Sequence, residues 1–129
     1  SKYFIKIYKQ NYFLIDEEIS FSELTTEKAN CKNYSTNAMA WVKLSFTNTA
    51  PSSSTDQLSF TKQEGKENCT ECCIDTERYV NGINDTFFIC ANNGNSIYSY
   101  HFKSENPFEL GEKEIFTPAF DTVELIKNW

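Results

Sequence analysis

Cysteines stand at positions 31, 69, 72, 73 and 90, and three of them lie within Asn68-Cys69-Thr70-Glu71-Cys72-Cys73. A disulfide between neighbours would strain the peptide that joins them, so Cys72 and Cys73 are expected to reach different partners. Five is an odd count: at most two bridges close within one chain, and one thiol is left buried, capped or joined to another molecule. The expected pairing ties Cys90 and Cys31 each to a different member of the cluster, because the clustered residues are too close in sequence to satisfy one another well. Such a cluster belongs to an oxidising compartment, which points to a secreted or extracellular protein; in the cytosol the same residues would be reduced thiols or metal ligands.

Length and charge narrow the classes further. The chain has 129 residues, 40% of them hydrophobic and 16% aromatic, which is enough to bury a core and reads as one disulfide-stabilised domain over residues 1–129. Twelve Lys and Arg against eighteen Asp and Glu give a net charge of -6. A surface of that sign repels phosphate backbones and anionic membranes, so nucleic acid is not an expected partner. No stretch approaches the roughly 18 apolar residues of a membrane helix, so membrane insertion is not expected. The first residues lack the basic-then-apolar pattern of a signal peptide, and the chain reads as processed or as an excised ectodomain. Sequons at Asn33, Asn68 and Asn84 make these the candidate glycosylation sites. In a chain this rich in Asn, Ser and Thr such triplets also arise by chance, and the secretion argument rests on the cysteines.

The dominant hydrophobic period is two. Tyr3 to Tyr8 and Asn11 to Ile15 are β-prone and read as a strand or an opening hairpin. Ser20-Phe21-Ser22-Glu23 has the form of a capping box and predicts a short helix running toward Lys32. Ala40 to Thr47 alternates cleanly, with Val42, Leu44 and Phe46 on one face and Trp41, Lys43 and Ser45 on the other. Asn48 to Asp56, with Pro51 and three consecutive serines, is a loop, and Gln57 to Thr61 a strand. Thr86 to Ala91 and Ser96 to Phe102 flank Asn92-Asn93-Gly94-Asn95 and predict a hairpin. Glu114 to Thr117 and Thr122 to Ile126 read as closing strands after Pro107 and Gly111, and Trp129 reads as no more than a chain end.

About seven short strands and one early helix predict a mainly β fold: a single-domain antiparallel barrel or barrel-like meander, or alternatively a two-sheet sandwich. The opening Ser1-Lys2-Tyr3-Phe4-Ile5-Lys6-Ile7 resembles the first strand of lipocalins, with Ser1 and Tyr3 standing where that family has Gly and Trp. The resemblance implies a ligand-enclosing barrel. Cys31, Trp41 and Phe88-Ile89-Cys90, preceded by Asp85, are similar to the Cys, Trp and Tyr-x-Cys pattern of immunoglobulin-like domains, which implies the sandwich instead.

Chemistry is thinly signalled. His101, the single histidine, lies on a predicted strand opposite Tyr98, Tyr100 and Phe102 and reads as a surface or hydrogen-bonded residue. Cys69-x-x-Cys72 lacks the second spaced pair of a zinc site, and four glycines offer no phosphate cradle, so no metal, cofactor or catalytic residue is assigned. The remaining candidates are aromatic and acidic: Trp41, Tyr98, Tyr100 and Phe102, with Glu109 and Glu112 placed to meet a cationic group. The first functional expectation is a secreted, non-enzymatic carrier or scavenger of a small hydrophobic or cationic ligand. The second is an extracellular protein–protein interaction module, immune-modulating or receptor-binding, that acts through strand faces and loops.

Overall fold

A computed structural model describes residues 2–24, 29–49, 56–73, 76–81, 85–105 and 108–129, and the chain divides into two compact units, Ser1–Ala38 and Met39–Trp129. The first unit is built on β1 (Lys2–Ile7) and β2 (Ile15–Ser20), paired antiparallel with Tyr3 opposite Ile19 and Ile7 opposite Ile15. Alternation puts Tyr3, Ile5, Ile7, Ile15 and Ile19 on one face. The other face carries charge, with Lys2 paired to Glu18 and Lys6 to Asp16. The Asp16-Glu17-Glu18 run is therefore a strand whose end residues meet the lysines of its partner. Asn11 takes φ 64 in the turn between the strands, a conformation Asn tolerates better than most side chains.

The predicted helix after Ser20 is not formed across the described residues there. Phe21–Glu23 make one 3₁₀ turn, and Leu24 is already extended. Ser20 is the reason: its backbone is engaged at the end of the hairpin, opposite Lys2, and its hydroxyl bonds that of Ser22 at 2.8 Å instead of capping a helix. Residues 25–28 lie outside the described residues.

The second unit contains β3 (Met39–Thr47), β4 (Gln57–Glu64), β5 (Arg78–Asn81), β6 (Thr86–Asn93), β7 (Ser96–Ser104), β8 (Glu109–Thr117) and β9 (Thr122–Asn128). They form a three-stranded sheet, β6-β3-β9, and a four-stranded sheet, β5-β4-β7-β8. β3 is central in the first, antiparallel to β6 and parallel to β9. The fold is mainly β, none of the sheets closes on itself, and the arrangement is consistent with a β-sandwich. The core lies between the inward stripes of the two sheets. Phe46 of β3 stacks on Phe60 of β4 with centroids 4.7 Å apart, and Tyr100 of β7 lies 5.7 and 5.6 Å from the two rings. Val42, Leu44, Leu58, Val80, Tyr98, Phe102 and Leu125 complete it. Burial of each such side chain contributes about 1.5–3 kcal/mol.

Three expectations are corrected by this packing. β6 and β7 do not form a hairpin: β6 pairs with β3, and β7 with β4 and β8. The fully buried Asn92 shapes this corner, donating to the Thr117 hydroxyl (3.0 Å), the Ser96 hydroxyl and the Ile97 carbonyl (3.3 Å each), while its Oδ1 accepts from the Lys66 amide at 2.8 Å. A side-chain network thus stands where ladder bonds were expected. Gly111, read as a break, lies inside β8 opposite Phe102, whose ring covers it so closely that an added Cβ would sit 2.7 Å from Cζ. Trp129, read as no more than a chain end, is buried in the core cluster, and its backbone exchanges bonds with Thr47 and Thr49.

Two disulfides cross-link the second unit, Cys69 to Cys72 and Cys73 to Cys90, and Cys31 is an exposed free thiol. Cys72 and Cys73 do take different partners. The expectation that Cys31 ties into the cluster is corrected, as is the expectation that clustered cysteines do not pair. A 3₁₀ turn at Thr70–Cys72 brings the Cα atoms of Cys69 and Cys72 to 5.3 Å, inside the ordinary span of a disulfide. With Cys90 bonded to Cys73, the Cys-Trp-Cys pattern of the immunoglobulin-like resemblance is not assembled.

Candidate functional site

Alternation fixes which side chains the β6-β3-β9 sheet turns away from the core. On β3 the inward residues Ala40, Val42, Leu44 and Phe46 are buried, so Trp41, Lys43 and Ser45 face outward, each half-buried. Register places Ala91, Ile89 and Phe87 of β6 beside them on one side, and Thr122, Glu124 and Ile126 of β9 on the other. Phe87 is 60% exposed, Ile89 56% and Ile126 52%. Three exposed apolar side chains therefore flank Lys43 and Ser45 on a nine-residue patch of sheet that also carries the half-buried Trp41.

A polar centre crosses this apolar patch. The Ser45 hydroxyl donates to Glu124 Oε1 at 2.6 Å, and the Lys43 ammonium lies 3.4 Å from the same oxygen. Lys43 also stands over the Phe87 ring, 5.1 Å from its centroid, within the range of a cation–π contact. The Ser45 hydrogen bond, helped by the Lys43 charge, holds the Glu124 carboxyl below its ordinary pKa. Lys43, Ser45, Phe87, Glu124 and Asp85 line a shallow cleft of about 240 Å³ at this end of the sheet.

β6 is also a sheet edge, and Thr86–Asn93 contains neither a charged residue nor a proline. Edge strands ordinarily carry such residues, which discourage another chain from adding to the ladder. β8, at the edge of the other sheet, does so with Glu109, Glu112, Lys113 and Glu114.

The residues singled out from the sequence do not converge. Trp41 lies on the outward face, as alternation requires. Tyr98, Tyr100 and Phe102 are core residues, with exposures of 1%, 0% and 6%. Burial pushes the Tyr100 phenol well above its ordinary pKa, and its hydroxyl has no hydrogen-bond partner among the described residues. Glu109 pairs with the buried Lys127 ammonium at 2.8 Å, itself 4.3 Å from the Phe102 ring. Glu112 faces the other way and meets His101 at 3.3 Å on the exposed side of β7 and β8. Asn33 and Asn68 are exposed, and Asn84 lies outside the described residues.

Phe87, Ile89 and Ile126 were not singled out, although the signal was present. Thr86-Phe87-Phe88-Ile89-Cys90 is apolar at consecutive positions and therefore presents apolar groups on both faces. Comparison of the chain with models of protein families, with curated proteins and with solved structures finds no match to any of them.

Proposed function

We propose that this is an extracellular, non-enzymatic binding module that docks another protein on the outward face of β6-β3-β9. The observation that supports it is the pairing of exposed Phe87 and Ile89 with a charge-free edge strand, apolar area that the core does not use. The partner surface is apolar at its centre, with a donor and an acceptor set to meet Glu124 and Lys43. Trp41 and Phe87 are the anchor residues, since large rigid rings carry most of the energy in such contacts. Two disulfides support the extracellular placement, and the exposed Asn33 and Asn68 are the proposed glycan acceptors. The carrier reading draws less support: Tyr98, Tyr100 and Phe102, the aromatic ligand-binding candidates on β7, are members of the core cluster, where Tyr100 lies against Phe46, Phe60 and Phe102.

The test compares wild-type protein with a Phe87→Ser, Ile89→Ser double variant and with Leu110→Ser, which alters an exposed apolar residue of the other sheet. Each is immobilised and exposed to extracellular fluid from the source organism. A protein retained by wild type and Leu110→Ser but lost from the double variant supports the assignment. Equal retention by all three sinks it.

A further inference from the structure

The cysteine cluster holds two disulfides of different character, and the difference does not depend on the docking face. Cys69 and Cys72 close a loop of three-residue separation, with Cys69 partly exposed and Cys72 fully buried. Cys73–Cys90 spans seventeen residues and joins the loop to β6, its Cys90 fully buried. Cys73 is partly exposed like Cys69, so an incoming thiolate reaches one sulfur of each bridge, and within the first bridge it reaches Cys69 more readily than Cys72.

Three further features suit the Cys69–Cys72 pair to reversible opening. The Cys72 amide donates to the Cys69 carbonyl at 3.2 Å, so the turn has a hydrogen bond of its own that does not depend on the sulfur link. Lys62, only 7% exposed, donates to the carbonyls of Lys66 at 2.7 Å and of Cys72 and Cys73 at 3.4 Å each. That ammonium puts positive charge at the buried end of the loop, where a thiolate leaving from Cys72 would form. Cys73 holds φ 57 and ψ 152, a conformation costly for any residue but glycine, and this strain sits at the joint between the two bridges.

We infer that Cys69–Cys72 is a thiol–disulfide exchange site, opened by an external dithiol while Cys73–Cys90 stays closed and holds the loop on β6. A thiolate of the dithiol attacks Cys69 Sγ, the Cys69–Cys72 bond breaks, and Cys72 leaves as a thiolate that takes up a proton. The second thiol of the reductant then attacks its own sulfur in the mixed disulfide and releases Cys69. The protein gains two electrons and two protons, and the dithiol becomes a disulfide.

The experiment uses folded protein whose Cys31 has first been blocked with N-ethylmaleimide. Dithiothreitol is added at neutral pH without denaturant, samples are quenched with iodoacetamide, and labelled cysteines are located by peptide mass spectrometry alongside circular dichroism. Cys69 and Cys72 are expected to become labelled together, at least about tenfold faster than Cys73 and Cys90, with the β signal unchanged. With the monothiol glutathione in place of dithiothreitol, the wild-type protein is expected to carry the mixed disulfide on Cys69, with Cys72 released as the thiol that iodoacetamide labels, and to carry far less on Cys72. Opening of both bridges at one rate, prior opening of Cys73–Cys90, or opening only as the β signal collapses overturns the inference. Equal trapping on Cys72 overturns the assigned direction of attack.

Discussion

β6 and β7 are joined by two residues and are similarly rich in apolar side chains, yet they use them in opposite ways. β7 turns Tyr98, Tyr100 and Phe102 inward, leaving Ser99, His101 and Lys103 on its other face. β6 turns Phe88 and Cys90 inward and still presents Phe87 and Ile89 to solvent. A strand that obeys alternation places its apolar residues where the fold needs them. The excess on β6, Phe87 and Ile89, stands outside the core cluster of the described residues, and that excess is why the outward face of its sheet, rather than the aromatic row of β7, is the proposed site.

The comparison breaks most sharply at the core. Phe46→Ala removes the ring shared by Phe60, Phe88 and Tyr100 and is expected to lower the unfolding free energy by about 3–5 kcal/mol in urea denaturation. Phe87→Ala should change it by about 0.5 kcal/mol. If the two truncations cost the same, Phe87 is a core residue and the contrast between the strands collapses.

The two bridges give the next effect. By chain entropy, removing Cys73–Cys90 with a pair of serines is expected to cost about 3 kcal/mol, and removing Cys69–Cys72 about 2 kcal/mol, because the smaller loop restricts the unfolded chain less. A larger loss from the Cys69–Cys72 pair, read from the same denaturation curves, would mean that the 3₁₀ turn depends on its sulfur link.

Smaller still is Tyr100→Phe. The Tyr100 hydroxyl is buried without a partner among the described residues, so its removal should leave the melting temperature unchanged or raise it. A clear drop would show that the hydroxyl bonds something inside the core. The smallest effect concerns pH. Glu124 has a folded-state pKa below its ordinary value near 4.5, so its contribution is complete above that value and fades as pH falls through the lower one. The group is exposed and the stability change correspondingly slight. Carboxyl titration by NMR should show Glu124 moving up toward the ordinary value in Ser45→Ala, and no movement would remove Ser45 as the cause.

The strands of the second unit were legible because most alternate, and β3 was read almost to the residue. β5 was missed: Arg78–Asn81 is only four residues in a polar stretch, with Val80 its buried apolar residue. Strand pairing was less legible. Asn93-Gly94-Asn95 has hairpin chemistry, and nothing local reveals that Asn92 is buried by Thr117, twenty-five residues away. The disulfides were half legible, since the rule for adjacent cysteines held while the 3₁₀ turn that lets Cys69 meet Cys72 left no mark in the sequence. Trp41 could be placed on the outward face from alternation alone. Phe87 of β6 and Ile126 of β9 lie far along the chain, and only the register of β3 with β6 and β9 sets them on either side of Ser45 on the same outward face.

The most direct measurement is the effect of Trp41→Ala and Phe87→Ser on binding, set against their effect on unfolding. Once a partner has been captured on wild-type protein, calorimetric affinity for it is measured for both variants alongside urea denaturation. The account predicts at least about a tenfold loss of affinity from each, with stability reduced by well under 3 kcal/mol. Undiminished affinity in both variants, or unfolding by 3 kcal/mol or more on loss of Trp41, would contradict it.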